Sequence, residues 1–132
     1  MFTATAKWTE QMRFEGTGNS GLSVLIDGDS KAANSPMELV LIALCGCTAY
    51  DVVNILQKKR EPLTAVEVSA EAEKTENPPR VYTAIKLLYR VRGEVSHKAV
   101  EDAVRLSEEK YCSVAAMLGK TARITYRIEI DS

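Results

Sequence analysis

The sequence predicts an α+β domain, a strongly bent antiparallel sheet around one long central helix, in the order βββ-α-ββ-α-α-β. Three observations predict it. Short segments separated by Gly, Asn, Ser and Asp turns fill the first third. A marked helix start then opens into the apolar stretch Leu39–Tyr50. After it come two long segments that alternate with the two-residue period of a strand. Runs of strands joined to one all-round apolar helix give a layered α+β architecture. A chain of 132 residues is the size of one domain, residues 1–132, and can bury a core without metal or disulfide support.

The elements follow in order. Phe2–Trp8, Gln11–Glu15 and Leu22–Ile26 read as a small antiparallel meander. Its turns are expected at Thr9-Glu10, at Gly16–Gly21 and at Asp27–Ser30. Ser35-Pro36-Met37-Glu38 is a helix start: Ser35 caps, Pro36 suits the first helical position, and Glu38 completes a capping box. The helix should run to about Lys59, where Lys58, Lys59 and Arg60 complement the C-terminal end of its dipole. Its middle is apolar on all sides, which implies cover on all sides. Thr64–Lys74 and Val81–Arg92 form a hairpin about the turn Thr75–Pro79. Val66, Val68, Ala70 and Ala72 face inward from one strand, and Ile85, Leu87, Tyr89 and Val91 from the other. Acidic outward residues on the first strand face basic ones on the second. Ser96–Tyr111 is helical, Ser113–Leu118 is a short helix ending at Gly119, and Thr121–Ile130 is the last strand.

Seventeen basic and 18 acidic side chains leave a formal charge of −1, and no stretch is strongly basic. Such a chain sets up no field for a polyanion, so no nucleic-acid partner is expected. Met1–Lys7 lacks the pattern of a signal peptide. Leu39–Tyr50 is shorter than the ~20 apolar residues of a membrane span and reads as a core helix, so no membrane partner is expected. A cytoplasmic location follows as the expectation. Three cysteines, with no dense spacing, argue against a disulfide framework and leave packing, metal or redox roles open.

Cys45 and Cys47 lie two apart on a helix, face different directions and cannot both serve one site. With the single His97 placed near the surface at a helix start, no set of zinc ligands can be assembled, and no bound metal or cofactor is expected. Free cysteine is most often a small buried hydrophobe. Cys112 departs from that: if Ser113 caps the short helix, its free N–H groups point near the Cys112 sulfur and lower the thiol pKa. Cys47, well inside its helix, must borrow a cation from elsewhere.

The segment Ser35-Pro-Met-Glu-Leu-Val-Leu-Ile-Ala-Leu-Cys-Gly-Cys47-Thr-Ala-Tyr-Asp-Val-Val resembles the central-helix signature of the OsmC/Ohr family of cysteine-dependent hydroperoxide reductases. Glu109-Lys-Tyr-Cys112-Ser-Val resembles that family's second cysteine motif, and Pro79-Arg80-Val-Tyr and the element order fit as well. The details look like the YhfA-like branch. The resemblance implies an intertwined homodimer with sites near the interface. It implies that Cys47 attacks an organic hydroperoxide and becomes a sulfenic acid, that Cys112 condenses with it to a disulfide, and that an external dithiol or lipoyl protein reduces the disulfide. Leu44, Ala49 and Tyr50 beside Cys47 suggest an apolar substrate pocket.

One position departs from the resemblance. Where Ohr-like members carry a glutamate that holds an arginine over the sulfur, this chain has Met37. Arg13 is the nearest match to that arginine, and Arg80 the second candidate. Two classes of function are therefore expected: a thiol peroxidase, or a non-enzymatic dimer whose pocket beside Cys47 binds a small apolar ligand or senses oxidants.

Overall fold

The computed structural model describes residues 1–132. In chain order the elements are β1 (Thr5–Glu10), β2 (Arg13–Thr17), β3 (Ser23–Asp27), α1 (Pro36–Lys58), β4 (Leu63–Lys74), β5 (Tyr82–Gly93), α2 (His97–Leu106), a π turn (Ser107–Tyr111), α3 (Ser113–Leu118) and β6 (Arg123–Asp131). The α+β class and the order βββ-α-ββ-α-α-β hold. The chain divides into two compact units, Met1–Ile42 and Ala43–Ser132, and α1 begins in the first and ends in the second.

In the first unit β1, β2 and β3 form an antiparallel sheet. The first turn falls at Gln11-Met12, two residues beyond the expected Thr9-Glu10. Side chains close it there: Trp8 Nε1 donates to the Gln11 carbonyl at 2.7 Å and Thr9 Oγ1 to the Arg13 carbonyl at 3.2 Å. The turn's backbone is held from outside by Gly28 N–H, which donates to Met12 O at 2.9 Å. Asp27 is buried at the end of β3 and receives the N–H groups of Asp29 and Ala32 at 2.8 and 2.9 Å. These hydrogen bonds to the charged form hold its carboxyl below the ordinary range.

The capping box at the start of α1 forms in both directions. Glu38 N–H donates to Ser35 Oγ at 3.2 Å, and Ser35 N–H donates to Glu38 Oε1 at 2.9 Å. Leu44, Thr48, Val52 and Leu56, four residues apart, form the buried stripe of the helix. The expected cover on all sides does not arise within one chain. Ile42 and Tyr50 are 50% and 68% exposed, because a three-stranded sheet spans only about 10 Å between its outer strands and covers one side of a helix. Nor is the helix too short to be a span: by length and composition α1 is sufficient to cross a membrane, with 22% of its most apolar stretch buried in the chain.

The second sheet has the order β4-β5-β6. Val66 to Ala72 on β4 and Ile85 to Val91 on β5 alternate inward as expected, with Ile85, Leu87, Tyr89 and Val91 at most 2% exposed. On the outer face Glu67 lies opposite Arg90, their charged atoms 3.7 Å apart. At the end of β5, Gly93 has φ +127°, and a Cβ there would sit 2.4 Å from the Pro62 carbonyl oxygen. Two features differ from the expected single antiparallel sheet. There are two three-stranded sheets, and β6 runs parallel to β5. The parallel pairing follows from the connection: α2, the π turn and α3 form a crossover that returns the chain in its original direction.

Candidate active site

The helix expected over Ser96–Tyr111 is α-helical only to Leu106. Ser107–Tyr111 widens into a π turn, in which Cys112 N–H donates to Ser107 O at 2.9 Å, five residues back. The widened turn is held from both sides by side chains of other elements. Ser107 Oγ, fully buried, donates to Asp51 Oδ2 at 2.9 Å. Tyr89 of β5 donates its hydroxyl hydrogen bond to Glu108 Oε1. Sequence periodicity carries no signal for such a turn, since both bonds join residues far apart in the chain.

The π turn delivers Cys112 to α1. Cys47 and Asp51 share a face of α1, one turn apart. The Cys47 sulfur, a carboxylate oxygen of Asp51 and the Cys112 sulfur all lie within 4.8 Å of one another. Cys112 is 3% exposed, whereas Cys47 and Asp51 reach the surface in part. Cys45 is absent from this cluster, as two-residue spacing on a helix requires, and burial pushes its thiol up.

Cys112 itself, not Ser113, is the N-cap of α3, and its sulfur accepts the Ala115 N–H at 3.3 Å. The expected lowering of this thiol is overturned. Burial, the hydrogen bond to Cys47 and the negative charges of Cys47 and Asp51 together push it up to about 12, and the Ala115 N–H opposes them without prevailing. Cys112 therefore keeps its proton at neutral pH and holds it toward Cys47.

Tyr89 lies beneath the cluster, fully buried, with its hydroxyl beside Thr48 of the α1 stripe. Thr48 Oγ1 is within 3.2 Å of the carbonyls of Leu44 and Cys45. Burial and the Glu108 carboxylate push the Tyr89 hydroxyl far up, and burial raises Glu108. Leu44 is fully buried, so it belongs to the core and not to a substrate pocket. A concavity of mixed lining instead opens one turn beyond Cys47. It is a cleft of about 470 Å³ between Asp51, Asn54, Ile55, Lys58 and Lys59 along α1 and its C-terminal end and Leu106 and Tyr111 on the opposite wall.

The two candidate arginines have partners of their own. Arg13 Nη1 is 3.3 Å from Glu10 Oε1, and its Nε is 3.9 Å from Asp27 Oδ2. Arg80 Nε donates to the Thr75 carbonyl at 3.1 Å in the β4–β5 turn. His97 is exposed at the first position of α2.

Residues 28–127 match the OsmC-like protein family. The chain belongs to the OsmC-like family. It is 47% identical over 129 residues to Protein YhfA of Escherichia coli K12, covering 96% of each chain. Its fold matches the crystal structure of an OsmC-like protein from Mycoplasma pneumoniae with a TM-score of 0.86, at 12% identity over 100% of this chain and 98% of that one. It also matches the organic hydroperoxide resistance protein OhrB of Bacillus subtilis, with a TM-score of 0.67 and 11% identity over 98% of each. At such identities the two structures bear on the fold alone. Within this OsmC-like chain, Asp51, Ser107, Tyr89 and Glu108 join the two expected cysteines. Asp51 alone left a trace in the sequence, the four-residue step from Cys47.

Proposed function

We propose that the protein is a thiol-dependent peroxidase for organic hydroperoxides, working as a homodimer in a reducing, cytoplasmic setting. The observation that supports it is the meeting of two sulfurs and a carboxylate within 4.8 Å. Cys47 is the more exposed sulfur and takes the first step: its thiolate attacks the distal peroxide oxygen, the O–O bond breaks, and the alkoxide leaves as the alcohol after taking a proton. The Cys47 sulfenic acid then condenses with the Cys112 thiol, forming the disulfide and releasing water. An external dithiol, small or lipoyl-bound, reduces the disulfide by exchange and restores both thiols. Asp51, with one oxygen engaged by Ser107, is the base placed to accept a thiol proton. Arg13 or Arg80 is the cation assigned to favour the Cys47 thiolate. Membership of the OsmC-like family supports a redox or peroxide-related role at the level of the family.

Treatment of the reduced protein with one equivalent of cumene hydroperoxide should link Cys47 to Cys112 and leave Cys45 free, as read by peptide mass spectrometry. The two sulfurs lie within 4.8 Å of each other, and a disulfide needs Cα atoms within about 7 Å. A Cys45 bridge, or two unlinked cysteines after oxidation, would defeat the two-cysteine scheme.

The homodimer is proposed from the apolar surface. Trp8 and Leu25 on the first sheet, Leu22 at its edge and Tyr50 on α1 are all more than 60% exposed. A second chain would cover them, burying more than roughly 2,000 Å² in total. Light scattering at micromolar concentration should give twice the chain mass, and a stable monomer would contradict the assembly. The competing reading, a dimer that binds an apolar ligand without turnover, draws on the 470 Å³ cleft and on the acidic partners of Arg13.

A further inference from the structure

The cluster sets an oriented carboxylate beside two sulfurs, and that donor set can do more than the base role given to Asp51 in the peroxidase reading. We propose that in the reduced protein Cys47, Asp51 and Cys112 form a three-ligand site for a zinc-like divalent cation. Their ligand atoms lie within 4.8 Å of one another. Zinc–sulfur bonds of ~2.3 Å set a sulfur–sulfur edge of about 3.8 Å in a tetrahedral site, a change within reach of side-chain rotation. Two thiolates and one carboxylate select a zinc-type ion over magnesium or calcium, which take oxygen ligands.

The surroundings are those of a supported site. Ser107 Oγ donates to Asp51 Oδ2 at 2.9 Å, which fixes the carboxylate and leaves Oδ1 to bind. The Ala115 N–H holds the Cys112 sulfur at 3.3 Å. Cys112 closes the site from the buried side, while the partly exposed Cys47 and Asp51 leave a fourth position open to water. Ionising both thiols beside Asp51 gathers three negative charges in this small space, and a divalent cation is the counter-charge that makes this favourable.

Binding displaces the two thiol protons to solvent. Oxidation removes the site. The metal-bound dithiolate, a hydroperoxide and two protons give the disulfide, the alcohol, water and the free cation. The inference rests on the cluster's geometry and does not require peroxidase turnover.

The test uses reduced, chelator-stripped, full-length protein without oxygen. It is titrated with Zn²⁺ against a chromophoric chelator, and with Co²⁺ followed by absorption. One equivalent per chain and a thiolate-to-cobalt charge-transfer band are expected. Cys47→Ser, Cys112→Ser and Asp51→Asn should each weaken Zn²⁺ binding about tenfold or more, and Cys45→Ser should leave it unchanged. Ser107→Ala removes only the orienting hydroxyl, and should weaken binding by about 10- to 100-fold with the fold kept. Absence of the cobalt band, Zn²⁺ affinity indifferent to both Cys112→Ser and Ser107→Ala, or binding lost with Cys45→Ser would overturn the site. A protein that binds Zn²⁺ but shows no peroxidase turnover overturns the peroxidase reading alone, and one that turns over without binding Zn²⁺ overturns this one alone.

Discussion

Cys47→Ser should abolish turnover of cumene hydroperoxide with dithiothreitol, a loss on the order of 10³-fold or more, because serine supplies no thiolate at the position that takes the first step. Cys112→Ser should slow the reaction, except where the external thiol resolves the sulfenic acid directly. Cumene hydroperoxide should outpace hydrogen peroxide. Ile55, Leu106 and Tyr111 line the cleft beside Asp51 and can cover an aryl tail, at about 0.8 kcal/mol per buried CH₂, while hydrogen peroxide has nothing to bury. Alanine at Arg13 or Arg80 identifies the activating cation as the one whose loss lowers kcat/KM. Steady-state assays decide the matter: wild type no faster than Cys47→Ser would end the peroxidase reading. The apolar-ligand dimer would then stand in its place, with Met37 in the position of the clamp glutamate as the cause.

Tyr89→Ala should destabilise the fold by about 3–5 kcal/mol, the range for removing a large buried ring. Tyr89 is fully buried, stands edge-on to Tyr126 with ring centroids 6.0 Å apart, and binds the π turn through Glu108. Tyr89→Phe separates packing from hydrogen bonding. It keeps the ring but leaves the Glu108 carboxylate without its donor, at a cost of about 1–3 kcal/mol. The pH dependence has a definite sign. Burial raises Glu108 in the folded state, so the fold binds more protons there than the unfolded chain and loses stability as pH rises through the carboxylate range. The Tyr89 hydrogen bond works against that rise, so Tyr89→Phe should lift Glu108 further and steepen the loss. Urea unfolding across pH checks both, and a Phe variant as stable as wild type at neutral pH would show that the bond to the π turn is not a structural tie.

These two experiments probe different parts of what was legible in the sequence. The start of α1, the inward alternation of β5 and the span of α3 were each readable, because caps, helical spacing and strand alternation act between residues a few positions apart. The family signature around Cys47 and Cys112 was readable too, as a pattern of residue types. The state of the sulfurs was not. A cap N–H near Cys112 was expected to lower its thiol, yet burial and the neighbouring charges outweigh it, and burial depends on what packs around a residue.

By itself the sequence determined the class and order of the elements, the boundaries of α1 to within a residue, and the two cysteines worth watching. Tertiary structure alone decided the rest. It set the parallel direction of β6, the widening of the helix end into a π turn, and the meeting of Asp51 and Ser107 across 56 positions of chain. The reason is the range of the forces involved. Local hydrogen bonds and side-chain periodicity are encoded within a few residues. The approach of Cys112 to Cys47, and the rise of the Cys112 thiol, follow only when the crossover closes on α1 and buries Cys112.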